Sequence, residues 1–356
     1  YKVFRFMLML AEQPELVADL FDALVKIVME YLPDYGRHLA VDSKAIHSLA
    51  NKSSDQTRKD GEPDRRGEHD EAVSRKSKYV KKADGTMEEK LFEWFGFKLH
   101  LAVDVKSQLP VAYTVTKGLA ADTNYLEPLL EDIHEHEPAL LERTETASAD
   151  MGYDSRSNLT GSKDGYGVDL LCPTRKLWKE KDLATVNGKG EEIRLKQLPG
   201  RDSLAYDEDG QVYCWQEDAR TGQGGHYPMV FKGYEADRES VKYVCPARAK
   251  GFACGRRDCP FAGSAVRIKL AVDRRIFVPL PRHTLKFKRL YRGRTAVERV
   301  NGMLDNVFGL EWHTMRGLAM TELRVGLALS AMLAMAIGRI RNGEPEHLRS
   351  LVRPAA

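Results

Sequence analysis

Three short apolar runs, each closing on an aspartate, do most to limit what this chain can fold into. They are His38-Leu-Ala-Val-Asp42, Phe95-Gly-Phe-Lys-Leu-His-Leu-Ala-Val-Asp104 and Thr146-Ala-Ser-Ala-Asp150. Runs of this length and alternation predict strands with a carboxylate at the C-terminal end. The second is followed, after Lys106-Ser-Gln, by Leu109-Pro-Val-Ala-Tyr-Thr-Val-Thr116, so the two predict a hairpin. Leu16, Leu20, Leu24, Ile27 and Tyr31 have helical spacing between Pro14 and Pro33. Residues 122–136 read as a helix capped by Asp122 or Thr123. A further helix is expected from about Asp154, and a strand over Tyr166 to Leu171. Strand, hairpin, helix, strand, helix, strand is the order of a mixed sheet flanked by helices, an α/β fold.

Two stretches break this pattern. Residues 51–90 are dense in charge, Ser and Gly and nearly free of large apolar side chains, which predicts a mobile charged loop. Residues 172–280 hold all five cysteines, many glycines and short β-like runs such as Gln211-Val-Tyr-Cys-Trp215, which predicts an inserted β-rich subdomain. Helical pattern returns at Leu285 to Asn306 and at Leu318 to Ile340. The expected organisation is a helical N-terminal remnant (1–36), a first core segment (37–171), the insertion (172–280), a helical segment completing the core (281–342) and a tail (343–356).

Composition narrows the function classes. Lys and Arg total 55 against 52 Asp and Glu, a net charge of +3, so the placement of charge matters more than its sum. Five cysteines are too few for a disulfide scaffold in 356 residues and fit a reducing compartment. The start at Tyr1 has no secretory leader and no initiator Met, which suggests a truncated N-terminus. The apolar run Val325 to Gly338 is short for a bilayer span and reads as a buried helix. A cytoplasmic protein with no membrane partner is expected. There is no P-loop, dinucleotide fingerprint or serine triad, and no small-molecule substrate is expected.

Acids at strand ends suit one chemistry in particular. Hydrolysis of a phosphodiester needs an activated water and a stabilised leaving oxygen, and two divalent ions about 4 Å apart can supply both. Mg²⁺ prefers carboxylate oxygens, so such a site needs several acids on rigid elements. Asp42, Asp104 and Asp150 all have the placement. Each is also the kind of residue that closes a strand as an ordinary turn.

Asp42-Ser-Lys, Phe97 to Asp104, Ala149-Asp-Met-Gly-Tyr-Asp154 and Tyr291-Arg-Gly-Arg-Thr-Ala-Val-Glu298 occur in this order. Together they resemble the DDE transposases of bacterial insertion sequences over roughly residues 15–340. The resemblance implies a ribonuclease H-like core with a β-rich insertion before the Glu-bearing helix. It implies Asp42, Asp150 and Glu298 as catalytic residues and ligands of Mg²⁺, with Mn²⁺ as a substitute, and it demotes Asp104 to a turn. The family signature runs Tyr, two residues, Arg, three residues, Glu, six residues, Lys. Tyr291, Arg294 and Glu298 fit it, but position 305 holds Asp. The same resemblance implies a protein that cleaves transposon ends, joins them to target DNA, acts at the nucleoid and pairs two ends as a homodimer.

The residues around the signature support a DNA partner. On one continuous helix, Tyr291, Arg294 and Glu298 would share a face at i, i+3 and i+7. Lys288, Arg289, Arg292 and Arg299 flank them, a run suited to backbone phosphates. Arg294 could hold a phosphate or simply pair with Glu298. Trp178, Trp215 and Trp312 could stack on an unpaired base or pack as ordinary aromatics. Cys214, Cys245, Cys254 and Cys259 could give four thiolates to one structural Zn²⁺, though the spacing is irregular. Two other readings stay open: a catalytically decayed or zinc-containing DNA-binding protein, and a ribonuclease H-like nuclease that does not transpose.

Overall fold

The computed structural model describes residues 2–48, 72–82, 86–175, 178, 183–186, 192–217, 224–251, 261, 264–312 and 316–348. In chain order the elements are α1 (Lys2–Ala11), α2 (Pro14–Tyr31), β1 (His38–His47), β2 (Ala72–Lys81), β3 (Met87–Asp104), β4 (Pro110–Lys117), α3 (Leu126–His136), α4 (Pro138–Arg143) and β5 (Thr146–Ser148). They continue with α5 (Arg156–Thr160), β6 (Asp169–Leu171), β7 (Leu183–Val186), β8 (Glu192–Leu198), β9 (Arg201–Tyr206), β10 (Val212–Glu217), β11 (Gly224–Pro228), β12 (Val230–Glu235), β13 (Ser240–Val244), α6 (Pro246–Lys250) and β14 (Ala265–Lys269). Three helices end the series: α7 (Leu285–Tyr291), α8 (Thr295–Asn306) and α9 (Leu318–Arg341). The chain divides into two units, Tyr1–Ala147 with Gly293–Ala356, and Ser148–Arg292.

In the first unit the long strand β3 organises the sheet. Its C-terminal half pairs antiparallel with β1, from Leu39 opposite Asp104 to His47 opposite Gly96. It also pairs with β4, from Phe97 opposite Lys117 to Val103 opposite Pro110. Leu99, Leu101 and Val103 are fully buried there. The N-terminal half of β3 pairs with β2. Residues 72–81 and 87–90 are therefore strand, where a charged loop was expected; pairing with β3 overrides weak local propensity. Residues 51–71 of that expected loop lie outside the described residues.

Asp104 closes the β3–β4 hairpin. Its carboxylate accepts from Gly36 N–H, Ser107 N–H and the Ser107 hydroxyl. Those bonds give both carboxylate oxygens partners, as befits a buried turn residue. Helix α9 has a broad buried face, including Leu323, Val325, Leu329, Met332, Leu333 and Ala336. It is long and apolar enough to cross a membrane, but about half of its apolar window is buried inside the protein. Gly326 sits at its close approach to α2 and β4. A Cβ there would lie 2.7 Å from Val17 Cγ1 and 3.3 Å from Tyr113 Cζ.

The second unit is mostly antiparallel β-structure. One sheet runs β11-β10-β9-β8-β7 and a smaller one β12-β13-β14. Leu204, Val212, Cys214, Val241, Tyr243, Ile268 and Phe277 form their shared core. Ala149 N–H donates to Leu171 O, which seats β6 beside the segment leading to Asp150. The second unit, from Ser148 to Arg292, includes β6 and the turn that carries Asp150 along with the β-rich part.

One buried group in the first unit makes stability depend on pH. His100 lies under the sheet, accepts or donates at Thr116 Oγ1 over 3.0 Å, and stacks on Tyr125 with ring centres 4.0 Å apart. Burial pushes its pKa down from 6.5 to about 4, opposed by Asp122 and reinforced by Lys98. The folded state therefore holds a neutral imidazole. Its contribution is complete above pH 6.5 and is lost as pH falls toward 4. His100→Phe should shrink the fall in Tm between pH 7 and pH 5. An equal fall in both proteins would show that His100 does not carry it.

Candidate active site

β1 presents different chemistry on its two faces because side chains alternate along a strand. Asp42 and Lys44 point to one face; Ser43 and Ala45 point to the other. The strand continues five residues beyond Asp42, so this carboxylate is mid-strand and not at a strand end. Pairing of Asp42 to His47 with β3 explains the extension, since Ser43, Lys44 and His47 would otherwise be weak strand formers.

On the Asp42 face, α8 crosses β1 and β3. Ala296, Val297, Val300 and Leu304 bury the inner stripe of that helix. Glu298 lies in its first turn and Arg294 just before it. Arg294 Nη1 is 3.3 Å from Asp42 Oδ2, and its Nη2 is 2.5 Å from Glu298 Oε1. One guanidinium thus bridges the two carboxylates. Asp42 Oδ1 also accepts from Ser43 N–H at 2.8 Å, which orients the carboxylate. The side chains of Asp42 and Arg294 are each 21% exposed, and that of Glu298 is 48%.

Two residues beyond Asp42, Lys44 Nζ lies 2.6 Å from Asp305 Oδ2, with both side chains about four-fifths buried. Asp305 is seven residues beyond Glu298, on the same side of α8. The aspartate at position 305 therefore faces a lysine on the neighbouring strand. On the opposite face of β1, Asp122 holds Lys98 at 2.8 Å, and Lys98 also donates to Ala120 O. Despite burial, hydrogen bonds from Lys98 and Ser43 bring the Asp122 carboxyl below its usual pKa.

The helix expected over Leu285 to Asn306 is two helices. α7 ends at Tyr291, a 3₁₀ turn spans Arg292–Arg294, and α8 begins at Thr295. Gly293 occupies this turn, where a Cβ would come within 2.6 Å of Val105 Cγ1. Tyr291 thus ends α7, while Arg294 and Glu298 go with α8. Tyr291 stacks on Phe287 within α7, ring centres 5.7 Å apart. Lys288, Arg289, Arg292 and Arg299 are exposed.

Asp150 belongs to the second unit. β5 stops at Ser148, and Asp150 caps the 3₁₀ turn Met151–Tyr153 by accepting from Gly152 N–H at 2.7 Å. A Cβ on residue 152 would sit 2.7 Å from Asp150 Oδ1, so a side chain there would displace that carboxylate. Asp154, whose side chain is fully buried, accepts from Arg175 N–H, Arg275 and Arg282. Arg175 in turn donates to the carbonyls of Met151 and Gly152. This arginine cluster fixes the turn that carries Asp150. Local sequence carries no signal that pairs Arg175 or Arg275 with Asp154. Their link to Asp154 spans 21 and 121 residues.

Among the described residues no three Cys, His, Asp or Glu side chains converge as a metal cluster. Cys172, Cys214 and Cys245 are buried thiols, and burial pushes Cys172 up to about 11. Cys214 belongs to the apolar core of the β-rich unit. Cys254 and Cys259, half of the expected zinc set, lie outside the described residues. Trp312 is 82% exposed and Trp215 39%, while Trp178 packs edge-on against Tyr206.

A sequence model of the transposase DDE domain matches residues 36–334, from just before β1 into α9. The chain belongs to the DDE transposase family. No curated protein and no solved structure matches it. The transposase is accordingly a DNA-binding enzyme of the nuclease or transferase kind, on a mixed α/β framework. No observation favours a non-catalytic DNA-binding protein or a stand-alone nuclease.

In the transposase the Lys44–Asp305 pair ties α8 to β1 beside the bridged carboxylates. A double-mutant cycle with Lys44→Met and Asp305→Leu, read by urea unfolding, should give a coupling energy of about 1 kcal/mol. Additive effects would show that the two side chains do not stabilise each other.

Proposed function

We propose that the transposase cleaves transposon ends and joins them to target DNA with Asp42, Asp150 and Glu298 as its metal-holding acids. The observation that carries this reading is the shared guanidinium: Asp42 and Glu298 lie close enough to engage one cation together. Their donors are hard oxygens, the kind that Mg²⁺ or Mn²⁺ takes. Bound ions would activate water and stabilise the leaving oxygen of the phosphodiester.

The chain's own residues supply the rest. Ser43 N–H aims Asp42, and the first turn of α8 presents Glu298. The turn built on Gly152 and the Asp154 arginine cluster holds Asp150. We assign DNA-backbone contacts to Arg294, Tyr291, Lys288, Arg289, Arg292 and Arg299; such contacts would position the duplex without reading its sequence. The core is read as ribonuclease H-like, with the β-rich unit as its insertion. Two copies acting together, one per transposon end, at the nucleoid, complete the proposal.

Asp42→Ala, Asp150→Ala and Glu298→Ala should each lower Mg²⁺-dependent strand cleavage by roughly a hundredfold or more, with DNA binding largely kept. Gel assays of end cleavage and of joined products measure both steps. Full cleavage by Asp150→Ala would remove it from the site. Cleavage without joined products would leave a nuclease and not a transposase.

A further inference from the structure

We infer that Arg294 couples metal binding to DNA binding, by holding the Asp42 and Glu298 carboxylates until a DNA phosphate draws it away. The inference rests on the proposed role of these two acids as metal ligands. Its basis is the bridge itself. Nη1 takes Asp42 Oδ2, and Nη2 takes Glu298 Oε1. A divalent ion needs direct access to such oxygens, so the guanidinium and the ion are rival occupants of the same carboxylates. The guanidinium charge between the two carboxylates opposes a divalent ion there, so release of Arg294 favours metal entry.

The chemistry of the side chain names what releases it. A guanidinium presents parallel N–H donors that match a phosphate as well as they match a carboxylate. Arg294 sits at the end of an exposed basic run, in the short turn before α8, where its long side chain retains partial access to solvent. A backbone phosphate arriving there offers an equivalent partner. Moving Arg294 onto it removes a positive charge from between Asp42 and Glu298, which strengthens their hold on a cation. Coupling between two ligands is reciprocal, so bound metal must tighten DNA binding by the same factor that DNA tightens metal binding. DNA-free protein would keep its metal site weak, and the hydrolytic centre would assemble only on DNA.

The test uses the full chain with Ca²⁺ as the probe ion, titrated calorimetrically without DNA, in wild type, Arg294→Gln and Arg294→Lys. Both variants should bind Ca²⁺ more tightly, the Gln variant by roughly fivefold, the scale of one partly exposed ion pair. A lysine ammonium is a point charge that cannot present the same fork, so Arg294→Lys should also loosen the bridge while preserving charge. In fluorescence anisotropy with a labelled duplex at fixed ionic strength, Ca²⁺ should tighten DNA binding by wild type and do so much less in either variant. Equal Ca²⁺ affinities in all three proteins would overturn the inference even if wild type cleaves DNA in Mg²⁺. Tight binding by Arg294→Gln alone would overturn it too, since net charge would then suffice. Absence of both Ca²⁺ binding and Mg²⁺-dependent cleavage would overturn the metal reading and this inference with it.

Discussion

The register between β1 and β3 is the constraint on which the first unit depends. Leu39 opposite Asp104 and Asp42 opposite Leu101 set which side chains of β1 meet α8. A slip of one residue would exchange the faces, because the side-chain period of a strand is two. Ser43 and Ala45 would then face the helix, and Asp42 and Lys44 would lie beside Lys98 and His100. Buried Leu39 and Val41 would have to change places with Ala40 and Asp42. The apolar side chains thus hold the register, and the register delivers the acid to Arg294.

The two faces differ in electrostatics as well as in partners. On the α8 face, Asp42, Arg294 and Glu298 form a bridge with ready solvent access at Glu298, while Lys44 and Asp305 form a second, more buried pair. Partly exposed pairs contribute little to stability and are easily remade. That suits carboxylates proposed to exchange their partner. On the opposite face, Asp122, Lys98 and the neutral His100 are shielded and tied to backbone and side-chain partners. The burial costs of Asp122 and Lys98 are met there by fixed hydrogen bonds, which suits a framework.

The second unit solves a different problem. Asp150 has no long strand under it; it stands on a single 3₁₀ turn. A turn is a soft support for a functional carboxylate. The buried Asp154 gathers Arg275 and Arg282, and Arg175 closes over the Met151 and Gly152 carbonyls. Rigidity that a sheet would have supplied comes here from charge-assisted bonds to residues distant in sequence.

Local pattern alone was enough to mark the strands around Asp42, the β3–β4 hairpin and the β-rich character of the middle of the chain. These follow from period-two alternation and from turn residues, which act over a few positions. The residues proposed for the site, Asp42, Asp150 and Glu298, were legible mainly through the resemblance of their surrounding motifs to a family. Pairing across the sheet made strand of residues 72–81, despite their charge, and carried β1 past Asp42. The turn at Arg292–Arg294 split a run of helix-forming residues, and Gly293 is where it packs against Val105. Tertiary structure also gave Asp305 a lysine partner and Arg294 two carboxylates at once. Sequence determined which charges exist and on which strand or helix they ride. Which charge meets which was decided only by folding, because ion pairs such as Arg294 with Asp42 join residues that no local pattern connects.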